Sequence, residues 1–275
     1  MRFNIPDITK GIMVEKNCER RSVDMPEMHS HSYHELYFLL SGKRRYFIGH
    51  RIFDVDAGNL VVIPKNELHK TTSFGGKGYE RYVLYFFDED IEEIYRLTGQ
   101  KNTEDFLNAG CLSFGSEYAE IIKKNIMRAE FEKNHSDLYT PLALRNILHN
   151  IILYALRFGR STALETGAGA DKIQQAAKYI SENYAEQISL GEVAGMVFME
   201  ETYFSKKFKA LTGFCFKEYL IQTRIKAAEK LLNETDFTIG EISDGCGFSS
   251  SNYFGDTFKR WKGVSPSEYR RLSRI

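Results

Sequence analysis

The 275-residue sequence has little that would place it outside a reducing compartment. Its four cysteines, at 18, 111, 215 and 246, are scattered and form no CxxC pair. They therefore read as reduced thiols, which excludes a disulfide scaffold and a thiolate metal site. No run of about 18 apolar residues occurs, and no signal-peptide pattern, so the chain is expected to be cytoplasmic with no membrane partner. Net charge is also missing: 37 Lys and Arg stand against 37 Asp and Glu, which leaves no polybasic tail. The length is more than one domain usually needs and supports two cores.

What the sequence does contain is a duplication in its last third. Ser189-Leu190-Gly191-Glu192-Val193 recurs 49 residues later as Thr238-Ile239-Gly240-Glu241-Ile242. Tyr203-Phe204, Phe208-Lys209, Gly213 and Glu218-Tyr219 recur 50 residues later as Tyr253-Phe254, Phe258-Lys259, Gly263 and Glu268-Tyr269. Ser189 with Glu192, Thr238 with Glu241 and Ser265 with Glu268 are S/T-x-x-E capping boxes, each marking a helix start. The periodicity predicts helices over 172–183, 189–196, 200–212, 216–232, 238–245, 251–262 and 266–272. Phe204, Phe208 and Leu211, like Phe254, Phe258 and Trp261, fall at i, i+4, i+7 and are expected to form the buried stripe of each second helix. A short helix, a turn and a second helix, made twice, is a plan for placing two helices in the major groove of one DNA duplex.

These residues, with Ile242, Cys246-Gly247-Phe248 and the run Gly263-Val264-Ser265-Pro266-Ser267-Glu268-Tyr269, closely resemble the DNA-binding domain of the AraC/XylS family of transcription regulators. The resemblance covers roughly 171–273 and implies two helix-turn-helix units joined by a long helix near 216–232. It implies that Thr202, Ser205 and Lys206 face base edges from the first unit, and Ser251, Asn252 and Asp256 from the second. Asn bonds adenine bidentately, Lys donates to guanine, and Asp accepts from cytosine N4. Lys207, Lys209, Lys259, Arg260 and Lys262 are placed for phosphates, and Ser250 lies on the same solvent face. Glu200 and Glu201 replace the small capping residues usual in the family. Residues 171–275 carry 15 Lys and Arg against 14 Asp and Glu, so the basic charge is local and one copy should bind DNA modestly.

The first 90 residues are of another kind. Aromatic and β-branched runs at 35–40, 43–49, 60–63 and 79–87, punctuated by Gly and Pro, predict short strands of a sandwich or barrel. His29-x-His31-x3-Glu35-x6-Gly42, then Gly58-x5-Pro64 with His69, resemble the two cupin motifs, which implies a jelly-roll barrel. Val23 stands at the first glycine position of that pattern and Asn66 replaces the glycine after Pro64. In cupin enzymes His29, His31, Glu35 and His69 would be the metal set, suited to Fe, Mn, Ni or Zn. In regulators with the same barrel such residues line an effector pocket, and that is the reading adopted here, with no cofactor. His34 and His50 fit neither motif and are expected at the surface. Helices are predicted over 116–133 and 141–158, the second with Leu144, Leu148, Ile151, Ile152 and Ala155 on one face. That face is either buried under the barrel or paired with a partner's copy, and the favoured reading is a dimer seam.

The expectation is an α+β chain: a cupin-like barrel at 1–110, a helical dimerisation segment at 111–158, a linker at 159–170 and an all-α double helix-turn-helix domain at 171–275. Its expected function is effector-responsive activation of a metabolic operon, with double-stranded DNA, a small effector such as a sugar, a second copy of itself and RNA polymerase as partners. Two alternatives stand beside it: a metal-dependent cupin enzyme carrying a DNA-binding tail, and a constitutive DNA binder with a vestigial barrel.

Overall fold

The computed structural model describes residues 10–273 apart from 22–23, 26–28, 74, 77 and 163–168. Val23 and the middle of the expected linker thus lie outside the described residues. The chain divides into two units, Met1–Thr166 and Gly167–Ile275. Among the described residues no helix is long and apolar enough to cross a membrane.

The first unit is built on β1 (Met13–Glu19), β2 (His34–Ser41), β3 (Lys43–Ile48), β4 (Arg51–Asp56), β5 (Leu60–Ile63), β6 (His69–Ser73), β7 (Tyr79–Phe86), β8 (Cys111–Ser113) and β9 (Arg160–Ser161). They form an antiparallel six-stranded sheet, ordered β1-β7-β2-β5-β8-β9, and a three-stranded sheet, β4-β3-β6. Tyr37, Leu39, Val61 and Val83 of the larger sheet share one core with Tyr46, Ile48, Phe53 and Val55 of the smaller, so the two sheets face each other as a cupin-like barrel.

Strand β2 shows why the larger sheet is apolar on both faces. Tyr37 and Leu39 point into the barrel, while Leu36 and Phe38 point outward into a second core. That outer core is closed by α1 (Asp88–Thr98), α2 (Gln100–Leu107), α3 (Ser116–Asn134) and α4 (Thr140–Phe158). Two of these helices, α1 and α2, fall inside the stretch expected to be all barrel. The alternation of β1, β4 and β6 is broken by polar residues, and β8 and β9 are two or three residues long, which is why four strands were legible of the nine among the described residues.

The expected dimer seam is corrected here. Leu144, Leu148, Ile151, Ile152 and Ala155 of α4 are buried against Leu36, Phe38 and Leu84 of the sheet, and Leu148 and Ile152 are fully covered within one chain. A sheet face this apolar has to be covered, and α4 covers it. The expected linker also begins later than its composition suggests. Arg160 and Ser161 pair with Ser113 and Leu112 of β8, and Thr162 N donates to the Cys111 carbonyl at 3.0 Å.

The second unit comprises α5 (Ala170–Glu182), α6 (Leu190–Met196), α7 (Glu201–Thr212), α8 (Phe216–Glu234), α9 (Ile239–Gly245), α10 (Ser251–Lys262) and α11 (Pro266–Ser273). Two of the three predicted boxes close in full, Ser189 with Glu192 at α6 and Thr238 with Glu241 at α9, while at α11 Ser265 Oγ accepts from Glu268 N at 3.3 Å. A further box, Cys215 with Glu218, opens α8. The repeated Gly213 and Gly263 end α7 and α10 in the left-handed region, at φ 82° and 79°, where a side chain would be strained. Phe204, Phe208, Phe254 and Phe258 are fully buried as expected. Trp261 is not: it is 37% exposed in the last turn of α10, and Thr257 is buried on that helix instead. Ile225, Ala228 and Leu232 of α8 pack with Ile242, Phe254 and Phe258, so the connecting helix is the floor of the second helix-turn-helix unit. Arg224 of the same helix donates to the carbonyls of Tyr184 and Glu186, both at 2.7 Å, tying it to the chain after α5.

Leu148→Ala should lower the stability of the first unit by about 2–5 kcal/mol, the cost of a large-to-small change at a closed site. Thermal unfolding should show the first unit melting earlier while the second is unchanged. A stable first unit would mean that α4 is not held on the sheet.

Candidate functional site

The first-unit residues singled out by the cupin-like spacing come together at one end of the barrel. Glu35 is near the start of β2, facing inward beside Tyr37, and His69 opens β6. His29 is bridged to His69 by reciprocal backbone hydrogen bonds of 3.3 and 3.1 Å. The loop carrying His31 is held by Asn66 N, which donates to the His31 carbonyl at 2.7 Å. Asn66 has φ +59°, so it adopts the conformation of the glycine it replaces, one that asparagine tolerates.

His31 Nε2 lies 3.2 Å and His69 Nε2 3.7 Å from the same oxygen, Glu35 Oε2. The ring centroids of His29 and His69 are 4.2 Å apart, and those of His31 and His69 are 5.0 Å apart. Glu35, His31 and His69 are buried and His29 is half-buried, so the cluster opens outward on the His29 side. Burial pushes the Glu35 carboxyl up, but the hydrogen bond from His31 and the charges of the histidines and Arg81 outweigh it and hold it at about 2. Burial, reinforced by His29, drives His69 well below its ordinary value, although Glu35 pulls it the other way. The donor set, three imidazoles and a carboxylate, is one a divalent transition ion accepts.

Strand alternation brings in residues that the motif did not reveal. Tyr37 on β2, Arg44 and Tyr46 on β3 and Arg81 on β7 point to the same interior. Arg81 lies over the Tyr37 ring at 5.3 Å, and the Tyr37 and Tyr46 rings are 4.9 Å apart. Tyr37 OH, Tyr46 OH and Arg81 Nε are buried without a hydrogen-bond partner among the described residues. The period-2 pattern of these strands was the signal that could have found them. His34 is a correction: it is buried, not at the surface. Its Nε2 pairs with Asp88 at 2.8 Å and its Nδ1 accepts from Lys65 N at 3.1 Å. These bonds fasten the start of β2 to the start of α1 and to the loop after β5. His50 is half-buried.

In the second unit Thr202, Lys206 and Lys209 of α7 are exposed, and Ser205 and Lys207 are half-buried. Lys207 donates to Tyr203 OH at 3.0 Å, which leaves its charge at the surface. Ser251, Asn252, Asp256, Lys259 and Arg260 of α10 are all exposed, as is Ser250 before it. Ser250 Oγ caps α10 by accepting from Tyr253 N at 3.2 Å. Glu200 caps α7 in the same way, and the backbone amides of Thr202 and Tyr203 hold its carboxyl below the usual range. Lys262 is not free for phosphate: it pairs with Glu229 at 2.6 Å, and both are largely covered.

Two family models match this architecture. One described as a helix-turn-helix domain covers residues 193–272, and one described as an AraC-like ligand binding domain covers 20–148. The chain belongs to the AraC/XylS family of transcription regulators. It is similar to the Msm operon regulatory protein of Streptococcus mutans, 23% identical over 248 residues that span 86% of this chain and 83% of that protein. It is also similar to the HTH-type transcriptional regulator YisR of Bacillus subtilis, 23% identical over 237 residues, 80% of this chain and 79% of the other. Among solved structures, the DNA-binding domain of AdpA in complex with a target DNA is 30% identical, covering 36% of this chain and 90% of that one with a TM-score of 0.36. As a family member the chain is a DNA-binding regulator with a ligand-binding domain, and not an enzyme.

The depressed Glu35 carboxyl has a consequence in acid. A carboxyl lowered in the fold contributes stability above its ordinary value of 4.5 and loses it as pH falls toward about 2. Between about pH 5 and 3, the thermal midpoint of the first unit should therefore fall more steeply in the wild type than in Glu35→Gln. Equal slopes would show that Glu35 is not held ionised by its neighbours.

Proposed function

We propose that the chain is an effector-responsive activator of a metabolic operon, in which a small polar molecule in the barrel governs how helix-turn-helix domains occupy adjacent half-sites on double-stranded DNA. The observation that carries this reading is the union in one chain of two exposed polar second-helix faces with a barrel walled by charged and hydroxyl side chains.

On DNA, Thr202, Ser205 and Lys206 read base edges from α7, and Ser251, Asn252 and Asp256 from α10. Lys207, Lys209, Lys259 and Arg260, with Ser250, contact phosphates. Helix α8 has 19 residues and spans roughly 28 Å, which with its flanking turns suits recognition helices one duplex turn, about 34 Å, apart.

In the barrel, His29, His31, Glu35 and His69 line the effector site, joined by Tyr37, Tyr46 and Arg81. The two hydroxyls and the guanidinium offer donors left unanswered among the described residues, and Glu35 offers an acceptor. A sugar or sugar acid answers both, which is the ground for a carbohydrate-linked operon. Effector binding selects among arrangements of the two units across the linker, a population shift. The activator role, with its contact to RNA polymerase, rests on the family resemblance alone.

A homodimer completes the reading, since one copy carries too little net basic charge for tight binding. With the inner face of α4 on the sheet, the seam lies on its outer side, where Tyr139, Leu142 and Leu153 are exposed beside Leu97 of α1.

Lys206→Ala should cost about 1–3 kcal/mol of operator affinity and relax preference at one base position, whereas Lys259→Ala should weaken all sequences alike and lower the salt slope by about one unit. Footprinting and salt-titrated binding measure both, and operator binding untouched by either change would overturn the helix assignment. Leu142→Asp combined with Leu153→Asp should give a folded monomer by sedimentation. An unchanged dimer would place the seam elsewhere.

A further inference from the structure

Arg81 is buried in the barrel wall in a way that packing does not explain. It stands opposite Leu39 in the β2–β7 ladder, and Leu39 faces the interior, so Arg81 faces it too. The residue is 6% exposed, and its Nε has no hydrogen-bond partner among the described residues. Its neighbours are aromatic: the guanidinium lies over the Tyr37 ring at 5.3 Å, and the Tyr46 ring is 4.9 Å from that of Tyr37. The Tyr37 and Tyr46 hydroxyls, on fully covered side chains, likewise lack a partner among the described residues.

A buried water answers a hydroxyl, but it leaves a charge uncompensated. Lysine and histidine relieve burial by giving up a proton, whereas arginine keeps its own. Glu35, the buried carboxylate of the same interior, is engaged elsewhere. Its Oε2 lies 3.2 Å from His31 Nε2 and 3.7 Å from His69 Nε2, and no ion pair within 4 Å joins it to Arg81. Arg44 of β3 brings a second guanidinium to this interior, donating to Thr71 Oγ1 at 3.1 Å and to Ser73 Oγ at 3.3 Å. The positive charge of the wall is therefore not that of Arg81 alone.

We infer that Arg81, Tyr37 and Tyr46 form an anion subsite, so that the effector carries a carboxylate or a phosphate and is not a neutral sugar. This rests on the effector reading above and narrows it to one class of ligand. Arg81 supplies charge-assisted N–H donors and the two tyrosines supply O–H donors, a set that suits the oxygens of either group. Glu35 pairs with Tyr85, Tyr37 with Val83 and Leu39 with Arg81, so the subsite lies further along the ladder than the histidine cluster. The ligand's anionic end is bound there by side chains separate from the histidines.

The test uses the full-length chain in chloride buffer, adding sodium acetate, sodium phosphate or glucose at matched ionic strength, and reads the thermal midpoint of the first unit. Acetate, phosphate or both should raise it above the chloride value, which tells a carboxylate from a phosphate site, and glucose should not. Arg81→Met should lose the rise, its remaining response measuring the general effect of each salt. Tyr37→Phe combined with Tyr46→Phe should weaken the rise. Before any anion is added, Arg81→Met should melt no earlier than wild type, since an apolar side chain of similar length removes a charge without a counter-ion. A midpoint well below wild type would make Arg81 structural and overturn the subsite. A wild type that answers neither anion, or glucose alone, overturns it too, as does Arg81→Met with the full response. Operator binding on the same samples separates the subsite from the regulator reading. Operator binding with no anion response removes the subsite alone, and an anion response without operator binding keeps the subsite and removes the regulator.

Discussion

The central sheet of the first unit has two apolar faces, and covering both is the constraint from which the rest of that unit follows. Leu36, Phe38, Val62 and Leu84 point one way and Tyr37, Leu39, Val61 and Val83 the other. Each large side chain left in water would cost about 1.5–3 kcal/mol, so neither face can stand open. The second sheet closes the inner face and the four helices α1 to α4 close the outer one. This fixes which side of α4 is structural and leaves only its outer side for other work. The barrel interior is then where polar side chains do something other than meet water.

Those interior polar groups are costly to keep. Arg81 and Glu35 are both buried, yet no ion pair within 4 Å joins them. Tyr37, Tyr46 and His69 each leave a polar atom without a hydrogen-bond partner among the described residues. A fold selected for stability alone would replace such a set with apolar side chains of similar volume. Their concentration on one inner wall, with the histidines at its open end, is what supports the effector site proposed for that wall.

The second unit solves a different problem with the same economy. Two short helix pairs, each too small to bury its own stripe, share α8 as a common support. Ile225, Ala228 and Leu232 serve the second pair, and Tyr219 packs on Phe208 of the first with ring centroids 5.7 Å apart. The capping side chains at the starts of α6, α7, α9 and α10 keep backbone amides satisfied. The outer faces of α7 and α10 are thereby free to carry residues chosen for a partner.

How much of this was legible in the sequence follows from the range of the forces involved. The seven helices of the second unit were readable because caps, αL glycines and the 3.6-residue stripe are local, and a duplicated stripe confirms itself. The placement of His29, His31, Glu35 and His69 at one site was readable from their spacing and its family resemblance. The surface position expected of His34 was wrong because its partners, Asp88 and the Lys65 amide, lie 54 and 31 residues away. The role expected of Leu148 and Ile152 was wrong for a related reason: an apolar face shows in sequence, but what covers it does not. The same limit hid Arg44 and Arg81, whose strands look half-exposed until both sheets are assembled. Local pattern therefore determined the helices, the repeat and the motif. Only the tertiary structure decided which apolar face was core, which charges were buried and which imidazole nitrogens were left facing one carboxylate.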